Sequence, residues 1–209
     1  MLKNIPPVTQ ALLAANIAVF LLQLVAGPSL NPFMLWPLVA EYGYGSQFLP
    51  WQVVTYGFMH GDFGHLFFNM LALFMFGAPL EYTWGTRRFA TFYFTCVVGA
   101  AITHLVLTSF FGLPPLPTVG ASGGVYGLLL AYGMLFPTQR VMLLFPPIPM
   151  QARTLVIVFG ALALLMGVTG TGGNIAHFAH LGGMLFGWLL IRYWRGQPPF
   201  KPRRPRGFG

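Results

Sequence analysis

The chain has 209 residues, 56% of them hydrophobic and only 7% charged. A soluble domain carries about 25% charged residues, so the composition excludes a water-clothed globule and describes an integral membrane protein. The net charge of +8 would suit nucleic acid, but the basic residues flank apolar segments or lie in the tail. That placement excludes nucleic acid and leaves the lipid bilayer as the surrounding partner, while the single cysteine, Cys96, excludes an internal disulfide and a cysteine-rich metal site.

In chain order, Met1 to Pro7 is a short polar start. The apolar run from about Val8 to Ala26 is long enough to cross a hydrocarbon core of about 30 Å. It exceeds the apolar region of a cleavable signal, about 7–15 residues, and so predicts a retained first helix. Gly27 to Trp51 is broken by Pro28, Pro32, Pro37 and Pro50 yet stays rich in aromatics. It predicts a long loop half-sunk in the interface, with Trp36 and Trp51 as interfacial anchors.

A second helix is predicted from about Gly57 or His65 to Leu80. Glu81 follows, its carboxylate expected to accept hydrogen bonds from the next turn, and Trp84 adds another interfacial anchor. A third helix covers about Phe89 to Phe111, with His104 as a helix-packing residue. The fourth starts near Ser122 and ends by Phe136, before Pro137. About fifteen residues make roughly 22 Å of helix, too short to span. Ser122 is therefore expected below one surface, at the bottom of a depression, where non-helical backbone is tolerated only against protein or water.

Gln139 to Arg153 predicts a proline-broken loop, Thr154 to Thr169 a fifth helix, Gly170 to Gly173 a turn, and Asn174 to Tyr193 a sixth helix. The expected fold class is an all-α membrane protein of six transmembrane helices, with the short fourth helix starting inside the membrane. Residues 1–195 form that domain and 196–209 a disordered basic tail. With six spans, all eleven Lys and Arg residues fall on the side that holds both termini. The positive-inside rule then places both termini in the cytoplasm and Ser122 toward the outer face.

Ser122 lies in the run Gly120-Ala121-Ser122-Gly123-Gly124-Val125-Tyr126-Gly127. Gly120 and Gly123 flank the hydroxyl without side chains, so another backbone can approach it, and Gly123 with Gly127 has the small-xxx-small spacing of a tight membrane helix pair. The same letters fit the G-x-S-x-G elbow of soluble hydrolases, but no strand precedes them. A serine among glycines in an apolar helix is ordinarily a packing residue, so the chemistry has to come from its neighbours.

Four of the five histidines fall in two clusters. His60, His65 and Asn69 stand at the outer end of the second helix, with His65 and Asn69 on one face; His177 and His180 stand at the outer end of the sixth. Polar groups at membrane depth are costly and by default functional. Metal binding fits poorly: His60 and His65 differ by about 140° around a helix, and no H-E-x-x-H occurs. Acyl transfer fits better, because a serine nucleophile needs a base, usually His, and an oxyanion needs donors that His65, Asn69 and the Ser122 N–H supply. None of the acids Glu41, Asp62 and Glu81 is near His180 in sequence; Asp62, near the outer mouth, is the alternative third member, but a Ser-His dyad is the simpler reading.

Taken together the sequence resembles the rhomboid family of intramembrane serine proteases, in its bacterial six-helix form. The matching signatures are Gly120-Ala121-Ser122-Gly123, the His60/His65/Asn69 spacing, and Ala179-His180-Leu181-Gly182-Gly183. Gly77, Glu81 and Gly85 add a further spaced match, and Trp51 with Thr55 another. The likeness runs from about Val8 to Trp194. Each motif alone is weak; their order across six spans is specific.

The resemblance implies Ser122 as nucleophile and His180 as base. It implies an oxyanion hole from His65, Asn69 and the N–H groups of Ala121 and Ser122, with Tyr126 packed on the His180 ring. Substrates would be transmembrane proteins of a bacterial inner membrane, and no cofactor is implied. A transporter or chaperone-like module using the same pocket is the alternative, and it would tolerate loss of Ser122. One departure is Gln52, where the family often has Arg after the loop tryptophan, which bears on how the first loop is anchored. Within the sixth helix, His180 shares a stripe with Gly183 and Gly187, facing the groove offered by Gly123 and Gly127. His177 heads a bulkier stripe through Leu181, Met184 and Trp188.

Overall fold

The computed structural model describes residues 5–38, 47–111, 116–144, 147–170 and 174–200, without the side chains of 174–176. Lys3, Glu41, positions 171–173 of the expected turn and the tail from Lys201 onward lie outside the described residues. Six long helices carry the architecture: α1 (Pro7–Ala26), α2 (Phe63–Trp84), α3 (Thr86–Phe110), α4 (Ser122–Leu135), α5 (Ala152–Thr169) and α6 (Asn174–Trp194). By length and apolarity α2, α3, α5 and the segment Pro7–Phe33 can each cross a membrane. The fold is an all-α membrane fold, and α4, with 14 residues, is about 21 Å long.

Helix boundaries follow local chemistry. Pro7 opens α1, where its missing N–H costs nothing. The next two N–H groups, of Val8 and Thr9, donate to the buried Glu81 carboxylate at 3.0 and 2.7 Å, and the Thr9 hydroxyl adds a third bond at 2.8 Å. Glu81 therefore does not serve the turn that follows it, as its position suggested. A carboxylate is held better at a helix N-terminus, where orphan N–H groups and the positive dipole end converge. The following turn uses the Glu81 main-chain carbonyl instead, which accepts from Gly85 N–H at 2.8 Å.

The start of α2 falls at Phe63, between the two starts expected. Asp62 is extended and its side chain accepts from His65 N–H at 2.9 Å, an N-cap that leaves residues 52–58 to separate short turns. Toward its end α2 widens into a π segment, Leu73–Gly77, and runs past Leu80 to Trp84. There Gly85, at φ +78°, turns the chain directly into α3.

Two further expectations change. The 139–153 segment is more than a broken loop: β1 (Arg140–Met142) and β2 (Pro149–Gln151) pair antiparallel, Val141 opposite Met150. Pro149 is compatible because it opens its strand. Trp36 is 7% exposed and donates its indole N–H to the Asn31 carbonyl at 2.8 Å, so it packs inside the first loop and does not anchor an interface. Trp51 is half exposed. The Trp84 ring packs against Phe92 and Trp194.

Depth of burial separates centre from periphery. Nine of the 14 residues of α4 are buried but only four of the 20 in α1. The α4 and α6 backbones touch: a Cβ on Gly183 would lie 2.1 Å from the Gly123 carbonyl oxygen. This is the close approach expected of the His180–Gly183 stripe. Farther along, Gly127 and Gly187 admit the Cys96 side chain of α3, whose Sγ would lie 2.3 and 2.9 Å from an added Cβ. The inner half of the stripe thus meets a third helix rather than α4.

Candidate active site

The segment ahead of α4 is held from several directions. Leu35 and Thr118 exchange two main-chain hydrogen bonds at 3.0 Å, tying the first loop to the strand-like run before Gly120. Gly120 sits at φ +128°, open only to glycine, and its N–H donates to the Tyr56 carbonyl at 2.9 Å. The Tyr56 hydroxyl in turn donates to the Val97 carbonyl of α3 at 2.7 Å. A side chain on Gly120 would strike the His65 ring, 2.8 Å from both Cε1 and Nε2. The turn that presents Ser122 is consequently fixed against α2 and α3 before any chemistry begins.

Ser122 then begins α4. Its Oγ lies 2.8 Å from His180 Nε2 across 58 residues of sequence. The His180 ring lies flat on Tyr126, centroids 4.2 Å apart and planes within 7°, so one helix turn of α4 both carries the hydroxyl and fixes the imidazole plane. Among the described residues His180 Nδ1 is buried with no hydrogen-bond partner. His177 stands edge-on to His180 at 6.0 Å.

One cavity of about 470 Å³ is lined by Ser122, His180, His65, Asn69 and Tyr126 together. Asn69 is buried and its amide donates to the His65 carbonyl at 2.9 Å. Gly61 N–H points at His65 Nδ1 at 3.4 Å, which leaves Nε2 as the protonated nitrogen of the neutral ring. Ala121 is fully buried at the N-terminus of α4, where the first N–H groups of a helix have no intrahelical partner. The end of the cavity at Ser122 therefore gathers a hydroxyl, an imidazole acceptor and several N–H donors.

His60 is buried edge-on to His65, centroids 5.1 Å apart. Burial and the neighbouring His65 ring pull its imidazole down to about 4, against the Phe58 carbonyl and Asp62. Neither His60 nor Gly123 lines the cavity; each supports a group that does. Asp62 is spent on capping α2, and His104 is buried in α3 away from the cavity wall. Among the described residues no three His, Cys, Asp or Glu side chains gather as a metal site.

One positioning residue escaped the sequence reading, and a second, Gln52, was noted there only as a departure from the family. Gln23 of α1 reads both main-chain groups of His60: its Nε2 donates to the His60 carbonyl at 3.1 Å and its Oε1 accepts from the His60 N–H at 3.0 Å. A lone amide near the end of an apolar helix was the available signal. Gln52 is fully buried, donating to the Pro32 and Gln47 carbonyls at 2.9 and 3.2 Å and accepting from Trp36 N–H at 3.1 Å. A neutral amide thus anchors the first loop through carbonyl acceptors and takes one bond, from Trp36 N–H, that a guanidinium has no lone pair to accept.

Residues 47–196 match the rhomboid domain family. The chain is 29% identical over 206 residues to Rhomboid protein 1, mitochondrial, of Saccharomyces cerevisiae, covering 91% of this chain and 58% of that protein. It is 29% identical over 188 residues to Rhomboid protease GlpG of Klebsiella pneumoniae, covering 90% and 63%. Against Rhomboid protease GluP of Bacillus subtilis the identity is 29% over 185 residues, covering 88% and 34%. The chain spans less than two thirds of the length of each of these relatives.

Proposed function

The chain belongs to the rhomboid family, and on that premise we propose that it is an intramembrane serine endopeptidase acting on transmembrane proteins through a Ser122–His180 dyad. The observation that carries the proposal is the 2.8 Å approach of His180 Nε2 to Ser122 Oγ beside a cavity that both residues line. Ser122 Oγ attacks the substrate carbonyl while its proton passes to Nε2. The resulting oxyanion is met by His65 Nε2–H, the Asn69 amide and the N–H groups of Ala121 and Ser122. Collapse expels the amine, which takes the proton from Nε2 and leaves an acyl-enzyme. Water, losing its proton to the same nitrogen, attacks the acyl carbon; the second collapse frees the carboxyl product and returns the proton to Ser122. Tyr126 holds the ring plane, and His60 backs His65.

We place the chain in a bacterial inner membrane with both termini cytoplasmic; the charge pattern supports that orientation, since the described cations Arg87, Arg88, Arg140, Arg153, Arg192 and Arg195 all stand at the opposite helix ends from Ser122. Reporter fusions at Gly209 and in the Arg140 loop should read as cytoplasmic, and one between Gly27 and Trp51 as external. The test of the chemistry is a fluorophosphonate, which modifies activated serines. Treatment of the purified protein should modify Ser122 alone, as located by mass spectrometry. Absence of labelling, or labelling of another serine, overturns the proposal.

A further inference from the structure

His104 takes no part in the acyl transfer, yet it is held deep in the molecule. It stands two turns outward of Val97 on α3, is 1% exposed, and among the described residues neither ring nitrogen has a hydrogen-bond partner. A buried imidazole is costly unless its polar atoms are met. The main chain of Leu116 faces the ring, at the outer start of the run that leads into Gly120 and Ser122.

That run, Leu116 to Gly120, is pinned at alternate residues. Thr118 exchanges both main-chain bonds with Leu35 at 3.0 Å, and Gly120 N–H donates to the Tyr56 carbonyl at 2.9 Å. In an antiparallel ladder the bonded position recurs every two residues, which sets Leu116 opposite Pro37. Proline has no N–H to give, so the first loop cannot hold the Leu116 carbonyl. α3 is placed to hold it instead. The Tyr56 hydroxyl donates to the Val97 carbonyl at 2.7 Å, so α3 already steadies the Gly120 end, and His104 lies seven residues farther out. Seven residues of helix make about 10 Å, and four steps of extended chain from Gly120 back to Leu116 make about 13 Å. Between the two, Ala100 of α3 packs on the first turn of α4, its Cβ 2.5 Å from where a Cβ on Gly123 would lie.

We propose that His104 is a positioning residue of the active site: its neutral ring donates an N–H to the Leu116 carbonyl and holds the outer end of the run that presents the Ala121 and Ser122 N–H groups. With Tyr56 at the inner end, α3 then splints the run from Leu116 to Gly120. This rests on the Ser122 reading, because the run matters to catalysis only if those N–H groups meet an oxyanion. His104 does not line the cavity, so it acts on turnover and not on substrate binding.

The test compares His104→Met with His104→Gln in the full chain in liposomes. The two side chains match in length, and only glutamine carries an N–H donor. Fluorophosphonate gives two readings of Ser122: the fraction labelled at completion counts folded sites, and the labelling rate reports their reactivity. His104→Met should label to completion about tenfold more slowly than wild type, the scale of one lost hydrogen bond. Its kcat on a transmembrane substrate should fall by the same factor while KM stays within about twofold. The loss is smaller than the roughly 10²-fold of a 1 Å misplacement, since Thr118 and Gly120 stay bonded. His104→Gln should bring both rates back to within about threefold of wild type. His104→Leu makes the same comparison where the methionine variant fails to label to completion. An apolar variant as fast as wild type, or a glutamine variant as slow as the apolar one, overturns the His104 proposal and leaves the nucleophile standing. A wild type that neither labels nor cleaves overturns both.

Discussion

The two ends of the cavity are built by opposite means. At the Ser122 end, positions are set by backbone: Gly183 lies against the Gly123 carbonyl, Gly120 is bonded to Tyr56, and a Cβ has no room at either glycine. Toward the hairpin, the wall includes Met142 at the end of β1 and Leu144 two residues beyond it, both about half exposed. Backbone contacts tolerate almost no displacement, while apolar side chains repack at small cost. The difference separates a part of the molecule that must keep one geometry from a part whose shape is free to vary.

Substitutions rank along that contrast. Ser122→Ala removes one hydroxyl and should reduce cleavage of a transmembrane substrate to background with the fold intact by thermal melting; substantial remaining proteolysis would remove Ser122 from its role. His180→Ala should abolish both cleavage and fluorophosphonate labelling, since without the base the hydroxyl is a poor nucleophile.

Asn69→Ala should lower turnover by about 10²–10³, the usual loss for one oxyanion donor, while labelling of Ser122 persists. Unchanged turnover in a folded variant would count against the Asn69 assignment. Gly183→Ala is the direct assault on the backbone end. The new methyl must push α6 from α4, and a misplacement near 1 Å costs about 10²-fold; a melting temperature and activity equal to wild type would show that the helix contact has slack. His177→Ala should be the mildest, keeping measurable activity, because that ring stands beside His180 and not against Ser122. If His177→Ala is dead and His180→Ala active, the base has been misassigned.

How far sequence reaches is visible in particular residues. The positions of α4 and α6 were legible from apolar length and proline, and the nearness of His180 to Ser122 from a glycine stripe facing a glycine groove. Both signals are periodic and local to one helix at a time. The stripe misled only at Gly187, where the partner is the thiol of a third helix.

What periodicity cannot carry is a hydrogen bond between distant segments. Glu81 was assigned to its neighbouring turn but serves the start of α1, 72 residues away, because orphan N–H groups there attract a carboxylate more strongly than a turn does. Gln23 finds the backbone of His60 at a separation of 37 residues, and Tyr56 finds Val97 at 41. The hairpin was hidden behind its prolines, since strand pairing depends on a partner strand and on the cavity it faces. Length, apolarity and residue spacing by themselves determined the membrane class, the six helical segments and the approach of His180 to Ser122. Only the packed chain decided which polar groups hold those residues in place, because a buried polar group must find its partner wherever the fold brings one within about 3 Å.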